Sequence, residues 1–376
     1  MSAERILTTH TGSLPRPVDL AEMMVEYSNE GRAAPGLWSR VDAATTEVVA
    51  RQAAIGIDIL NDGEFGKASY AGYVKERLNG FGGAVSNPAR VMQDQEDFPD
   101  WVRSNAPRIT YPGNNGPISA KDATLAGRDI ARLKAAVASV RLVDVFMPAA
   151  SPGVIETFMP TTYYKSDEEY LAVLADHMRG EYRAVVDAGF ILQVDCPDLA
   201  MSRHTRFRQL SNAEFLKVAA LHVEVLNHAL EGLPRERLRL HLCWGNYEGP
   251  HRSDIPLKEI VGVALGAHVG ALSFEAANPR HAHEWAVFEQ IKLPDDFTII
   301  PGVIDSCTNY IEHPELVAQR LVRFAGVVGR ERVMASTDCG FGTSVGPRHV
   351  SGSVAWAKLE SLVEGARLAS AELWSS

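Results

Sequence analysis

Short apolar runs alternate with longer amphipathic stretches along the chain. The pattern predicts eight buried strands, at Ile6–Thr9, Asp58–Asn61, Val143–Met147, Ile191–Val194, Leu238–Leu242, Leu272–Phe274, Thr298–Ile300 and Val333–Ala335. The runs lack the strict apolar–polar alternation of a half-exposed sheet, which favours parallel strands covered on both faces. Eight such strands separated by helices predict an α/β fold of the (β/α)8 TIM barrel type, with a doubly wound open sheet as the alternative.

Two of the predicted helices begin at clear N-terminal signals. Ser166–Glu169 and Ser211–Glu214 both fit the capping box, in which a serine hydroxyl caps the first turn and a glutamate bonds back to the cap. The second of these helices is expected to stop at Gly232 and Pro234, because glycine ends helices and proline cannot continue them. These signals place helices between the strands, as a barrel requires.

One segment interrupts the alternation. From about Lys67 to Leu133 the chain holds too many Pro, Gly, Asn and Asp residues for one crossover helix. We therefore expect an insertion after the second strand, over about residues 67–133, lying across one mouth of the barrel. No low-complexity linker, internal repeat or clean boundary is visible, so residues 1–376 are expected to form a single barrel domain.

Composition narrows the functional class. The 376 residues are 46% hydrophobic and carry a net charge of −10, which argues against a dedicated nucleic-acid or anionic-membrane binder. The amino terminus lacks a basic stretch followed by an apolar run, and the apolar stretch from Val261 meets His268 before the roughly 18 residues of a membrane span. Four cysteines are too few for a disulfide scaffold, so we expect a soluble cytoplasmic protein with small-molecule partners. The sequence leaves open whether it forms a homo-oligomer.

All four cysteines occupy corresponding positions. Cys196, Cys243, Cys307 and Cys339 each fall just after a predicted strand. Because the carboxyl ends of parallel barrel strands form one face, where active sites are built, the four thiols are expected around one mouth. The alternative is that each is a small buried hydrophobe, as most free cysteines are.

Two of these cysteines have partners suited to a metal. His241 and Cys243 lie two apart at one strand end, so their side chains point the same way. Glu275 closes the next strand and Cys339 the last. One imidazole, two thiolates and a carboxylate make a tetrahedral set that favours Zn²⁺.

Seven motifs, in chain order, resemble those of a known family. They are Thr9–Pro15, Gly63-Glu64-Phe65, Val194-Asp195, His241-x-Cys243, Glu275, Pro301–Asp305 and Asp338-Cys339-Gly340. They are similar to the catalytic barrel of cobalamin-independent methionine synthase, a zinc-dependent (β/α)8 enzyme. The resemblance runs from about residue 5 to the carboxyl terminus. Full-length members carry two barrels, and this chain resembles only the carboxy-terminal one.

The resemblance implies roles for particular residues. The family's zinc ligands fall on His241, Cys243, Glu275 and Cys339. Its amino-acid pocket, which holds the amino and carboxylate groups of homocysteine, falls on Ser13, Glu64 and Asp195. For Glu64 and Asp195 the alternative is a helix-capping or salt-bridge role, and for His10 a structural role is favoured.

The chain departs from the family at two places beside the substrates. Methionine synthases read Asp-Ile-His-Ser after the seventh strand, and that histidine is taken to handle a proton. This chain reads Asp305-Ser306-Cys307-Thr308, so the imidazole is missing, and Asp305 and Cys307 are secondary site candidates. After the fourth strand, Asp195-Cys196-Pro197-Asp198 replaces Asp-Glu-Pro-Ala. The proton donor is therefore unassigned.

The resemblance implies a zinc-dependent thiol methyltransferase of methionine biosynthesis. A homocysteine-like thiol, activated as a zinc thiolate, would attack a methyl donor such as 5-methyltetrahydrofolate, a small donor or a corrinoid protein. One alternative is epoxide opening of the epoxyalkane:coenzyme M transferase type, with Arg16 and Lys67 holding the sulfonate. The others are a non-catalytic zinc-binding barrel and metal-assisted hydrolysis.

Overall fold

The computed structural model describes residues 4–83, 92–101, 111–122, 124–345 and 350–375. Its strands are β1 (Leu7–Thr8), β2 (Ile59–Leu60), β3 (Leu78–Gly82), β4 (Gly113–Ala120), β5 (Asp144–Ala150), β6 (Ile191–Asp195), β7 (Leu238–Leu242), β8 (Ala271–Glu275), β9 (Thr298–Ile304) and β10 (Met334–Thr337). Eight of them pair in parallel in the order β1-β10-β9-β8-β7-β6-β5-β2. A backbone hydrogen bond of 3.2 Å from Asp58 N to Thr8 O joins the segments at the two ends of this order. The sheet is thus a nearly closed (β/α)8 barrel, and the open-sheet alternative is wrong.

Helices cover the outside of the barrel and also occur in the segment between β2 and β5. They are α1 (Val18–Glu30), α2 (Leu37–Ile55), α3 (Val74–Arg77), α4 (Gln93–Asp97), α5 (Thr124–Val137), α6 (Pro152–Phe158), α7 (Asp167–Asp187), α8 (Asn212–Ala229), α9 (Leu257–Ala264), α10 (Pro314–Val328) and α11 (Gly352–Leu373). The capping box of Ser211 and Glu214 at α8 is confirmed. At α7, Ser166 caps the helix, but Glu169 accepts from Lys165 N instead of from its cap. None of the described helices is long and apolar enough to cross a membrane.

The side chains inside the barrel change from apolar to polar along its axis. Ile59, Phe146, Ile191, Ile300 and Met334 form an apolar cluster at the amino-terminal end of the barrel. One step further along the strands, Gln193 lies opposite Arg239, and one step beyond that Asp195 lies opposite His241. The apolar cluster fills one end, so polar side chains collect toward the carboxyl ends of the strands. The candidate functional site lies there.

The segment between β2 and β5 carries additional structure. β3 and β4 form an antiparallel pair outside the barrel sheet. Beside α4, Gln93 N donates to His204 O at 2.8 Å, and Asp94 Oδ2 accepts from Tyr247 Oη at 2.8 Å. This part of the predicted insertion thus lies against the loops that follow β6 and β7. Helix α5 begins at Thr124, inside the predicted range, and residues 84–91, 102–110 and 123 of that range lie outside the described residues.

Candidate functional site

Three of the four predicted metal ligands meet at the carboxyl ends of the strands. His241 lies in β7, Cys243 just after it, and Cys339 just after β10. Their ligand atoms all lie within 4.8 Å of one another, and all three residues are buried. The Cys243 and Cys339 Sγ atoms are 3.0 Å apart, and Cys339 Sγ is 3.6 Å from His241 Nε2. Residues nearly a hundred positions apart in the sequence thus form one compact group. We call His241, Cys243 and Cys339 the metal group.

Glu275, the fourth predicted ligand, adjoins this group. It ends β8, and its Oε1 lies 3.8 Å from Cys339 Sγ. Trp244 N donates to Oε1 and Asn278 Nδ2 donates to Oε2, each at 2.8 Å. These two donors fix the carboxylate beside the thiols.

The electrostatics of the group fit a bound cation. Burial, with help from Arg239, lowers the pKa of His241 to about 3, so the imidazole is neutral, as a metal ligand must be. Its Nδ1 is 3.4 Å from Ser273 Oγ, which leaves Nε2 facing the thiols. The hydrogen bond to Cys243 and burial raise the pKa of Cys339 well above its usual range, and a dication would reverse this by stabilising the thiolate. Two thiolates, an imidazole and a carboxylate are a donor set that suits Zn²⁺.

The three predicted amino-acid-binding residues lie in the same cavity as this group. Ser13, Glu64 and Asp195 line it together with His241, Cys243 and Cys339. Glu64 has a φ of 60°, an unusual backbone conformation for a residue with a side chain. A Cβ on Gly12 would overlap Glu64 Oε1, so the glycine lets the two loops meet.

The two carboxylates of the cavity favour a protonated state unless a cation joins them. Burial, followed by the charge of Asp195, raises the pKa of Glu64 to about 8, although Lys67 and Arg16 oppose this. Burial raises the pKa of Asp195 to about 7, against a 2.8 Å hydrogen bond from Gln193 Nε2. Two buried carboxyl groups with raised pKa values are typical of a functional site.

Arg16 and Lys67 do not line the cavity. Arg16 donates to the carbonyl oxygens of Gly342, Glu64 and Lys67, and Lys67 Nζ donates to Pro148 O. Their head groups therefore hold the surrounding backbone. Neither is placed where the sulfonate of a substrate in this cavity would sit.

The other two cysteines lie apart from the metal group. Cys196 is buried in the main hydrophobic core. Cys307 lines a second cavity with Glu275, Asp305 and Asp338, and its Sγ donates to Asn246 Oδ1 at 3.0 Å. Asp305 Oδ1 accepts from Cys307 N at 2.8 Å. All four thiols follow strands as expected, but the structure brings only two of them together.

We predict that Cys307→Ser keeps its zinc. A serine hydroxyl can donate to Asn246 Oδ1 as the thiol does, and the metal group does not include this residue. Zinc content per chain, measured by atomic emission on purified protein, should equal that of the wild type. A metal-free variant would mean that Cys307, and not Cys243 or Cys339, is a ligand.

His10 has a structural environment. Its Nε2 is 2.8 Å from Gln52 Oε1, and its Nδ1 accepts from Gly12 N at 3.2 Å. Burial lowers its pKa to about 4. Both ring nitrogens are used, so the side chain holds the loop that carries Gly12 and Ser13.

A cluster of three histidines around Asp254 was not predicted. Asp254 Oδ1 is 2.7 Å from His204 Nδ1, and its Oδ2 is 2.8 Å from His251 Nδ1 and 3.0 Å from His281 Nε2. Burial opposes protonation of His281, but hydrogen bonds to Asp254 and Glu284 raise its pKa to about 10. The His281 ring packs 4.2 Å from that of Trp244, whose backbone N–H holds Glu275. His251 and Asp254 share the loop after β7, whereas His204 and His281 come from the segments after β6 and β8, and no sequence pattern links the three segments.

Comparisons with known proteins identify the family of this chain. Residues 6–367 match the family model described as the cobalamin-independent synthase, catalytic domain. Methionine synthase of Saccharolobus solfataricus is 25% identical over 371 residues, covering 97% of this chain and 95% of the relative. That of Sulfurisphaera tokodaii is also 25% identical, with 97% and 93% covered. The structure of a B12-independent methionine synthase from Shewanella sp. W3-18-1, with selenomethionine, covers 99% of this chain and 100% of its own, at a TM-score of 0.75 and 22% identity.

Proposed function

Because the chain belongs to the family of cobalamin-independent synthase catalytic domains, we propose that it is a zinc-dependent methyltransferase acting on a homocysteine-like thiol. One observation carries the proposal: the metal group and the carboxylate pair Glu64 and Asp195 line a single cavity. A thiol at the metal and an ammonium group at the carboxylates can therefore belong to one small molecule. Its product would be a thioether amino acid of methionine biosynthesis.

His241, Cys243, Cys339 and Glu275 would hold the zinc. A bound zinc ion supplies the positive charge that keeps a substrate thiol ionised near neutral pH. Two thiolates and a carboxylate around a bound zinc ion would preserve the nucleophilicity of a substrate sulfur, because they are electron-rich ligands. Trp244 N and Asn278 Nδ2 already hold both oxygens of Glu275, so this carboxylate has hydrogen-bond partners apart from the metal.

Glu64, Asp195 and Ser13 would hold the amino-acid end of the thiol. An ammonium group between the two carboxylates removes the cost of burying like charges together. Gln193 Nε2 donates a 2.8 Å hydrogen bond to Asp195 Oδ1 and so fixes the orientation of this carboxylate. Ser13 Oγ accepts from Gly342 N at 3.3 Å, so its own proton can be donated to the substrate carboxylate.

The cavity favours an amino thiol over a sulfonate thiol. Among the described residues that line it, there is no lysine or arginine to pair with a sulfonate. The epoxide-opening alternative needs a lysine or arginine in the cavity to pair with the sulfonate of coenzyme M. The hydrolytic alternative prefers ligands other than thiolates, because thiolates lower the Lewis acidity of zinc. A barrel that only stores zinc would not need the carboxylate pair Glu64 and Asp195.

The proposal is tested by metal analysis and thiol binding. We expect about one zinc per chain after zinc loading, and calorimetric binding of homocysteine at least tenfold tighter than that of coenzyme M, because a charge-assisted hydrogen bond contributes about 1.5–3 kcal/mol. Absence of zinc binding contradicts the metal assignment. Equal affinity for the two thiols contradicts the amino-acid assignment.

A further inference from the structure

Several aromatic side chains line the cavity that contains the metal group. Tyr70, Tyr111, Phe158 and Tyr247 line it beside the metal group. The Phe158 ring lies 5.3 Å from the Tyr111 ring and 5.9 Å from the Tyr70 ring. These residues come from the loop after β2, the segment before β4, the end of α6 and the loop after β7. Rings from four separate elements thus surround the space that a second substrate must enter.

This cavity is negative as well as aromatic once a cation has joined its two carboxyl groups and ionised them. Glu64 and Asp195 line it, Glu275 adjoins the metal group, and no described lining residue is a lysine or arginine. One ammonium group from the thiol substrate offsets one of the two lining carboxylates. Aromatic faces and a remaining negative charge attract an organic cation whose charge is spread over methyl groups. They repel a donor that carries several carboxylates.

The described residues that line the cavity also include no free imidazole that could protonate a leaving group. His241 is the one histidine among its described lining residues, and its Nε2 faces the thiols. A methyl donor whose leaving atom is the nitrogen of a neutral tertiary amine, such as 5-methyltetrahydrofolate, needs a proton as it departs. A cationic donor needs none, because it leaves as a neutral molecule, and a sulfonium donor leaves as a thioether, which is a weaker base and a better leaving group than an amine.

From the aromatic wall, the negative lining and the absence of a free imidazole among the described lining residues, we propose that the methyl donor is a sulfonium compound bound against Phe158, Tyr70 and Tyr111. The inference rests on the proposed function, because it takes the thiol to be bound at the metal group. The thiol sulfur forms a bond to the methyl carbon, and the bond between that carbon and the sulfonium sulfur breaks. The electron pair of the broken bond stays on the departing sulfur, which becomes a neutral thioether. The thiol has already lost its proton to solvent when it bound.

Binding of the donor alone tests the aromatic site without any turnover. We expect the zinc-loaded protein to bind trimethylsulfonium and S-methylmethionine in calorimetric titrations, and to bind neutral dimethyl sulfide at least tenfold more weakly. Phe158→Leu should weaken trimethylsulfonium binding about tenfold, the size of one desolvated cation–π contact. Tyr111→Leu provides a second variant if the first fails to fold.

Tyr163→Leu is the matched control. Tyr163 is 51% exposed, lies near α6 in the chain, and is not among the lining residues of the cavity. It should bind trimethylsulfonium as the wild type does. Equal binding of the cation by wild type, Phe158→Leu and Tyr111→Leu overturns the aromatic site.

Turnover then identifies the donor class. With homocysteine, we expect methyl-labelled S-methylmethionine to transfer its methyl group at least a hundredfold faster than either 5-methyltetrahydrofolate or glycine betaine. Faster transfer from the folate or from the quaternary ammonium compound overturns the sulfonium assignment and leaves the thiol site intact. No transfer from any donor by protein that binds zinc and homocysteine also overturns it. Failure to bind zinc or homocysteine overturns the proposed function itself.

Discussion

Cys243→Ser and Cys339→Ser will each lose zinc and methyl transfer while keeping the barrel folded. The two sulfur atoms lie 3.0 Å apart and face His241 Nε2, so each is part of one ligand group. A serine hydroxyl stays protonated near neutral pH and is a much weaker zinc ligand than a thiolate. We expect zinc affinity to fall by at least about a hundredfold, since even residues that only support a ligand change it 10–100-fold. Atomic emission on dialysed protein measures the loss of zinc. The far-ultraviolet circular dichroism spectrum shows whether the barrel stays folded.

Cys307→Ser is the matched control for these variants. This variant also replaces a thiol by a hydroxyl just after a barrel strand. The Cys307 thiol, however, donates a hydrogen bond to Asn246 and is not part of the metal group. Wild-type zinc content in both Cys243→Ser and Cys339→Ser would place the metal elsewhere. Loss of the circular dichroism signal would mean that the thiols support the fold, which their position at the ends of the strands does not suggest.

The barrel could be predicted from the sequence because its strands are covered on both faces. Such strands appear as apolar runs, and all eight predicted runs overlap barrel strands in the structure. Exact ends were less predictable: the run ending at Ile300 continues as β9 to Ile304. There the sequence reads Pro301-Gly302, which indicates a strand end. Packing against Asp338 instead continues the strand, because Gly302 leaves room for that residue.

The candidate ligands could be predicted because each lies at the end of a strand or just after it, and barrel geometry brings strand ends together. The aromatic wall and the Asp254 cluster could not. Phe158 ends a helix, Tyr111 lies in the predicted insertion, and Tyr70 lies in a loop. Nothing in their local sequence sets them apart from ordinary core or surface aromatics. Their proximity depends on how α6 and the loops pack over the barrel, which a periodic pattern does not encode.

Glu64→Gln and Asp195→Asn should each weaken binding of an amino-acid ligand by about 1–3 kcal/mol, the cost of losing a charge-assisted hydrogen bond. Norleucine is the cleaner probe, because it keeps the amino-acid group and has no thiol to ionise. Zinc content should not change, since neither residue belongs to the metal group. Isothermal titration calorimetry measures the affinities. If coenzyme M bound the wild type as tightly as homocysteine, the amino-acid interpretation would be wrong.

The same two carboxyl groups predict how this binding depends on pH. The pKa is about 8 for Glu64 and about 7 for Asp195, so at pH 6 both are mostly protonated. An ammonium group binds best to the ionised forms and therefore lowers both pKa values. Norleucine affinity should consequently rise from pH 6 to pH 8, level off above that, and be accompanied by proton release at pH 7. Titrations in buffers of different ionisation enthalpy measure that release, which should fall in either single variant, more in Glu64→Gln because Glu64 has the higher pKa, and vanish in the double variant. Proton uptake, or a release unchanged in the double variant, would show that other groups set the pH dependence.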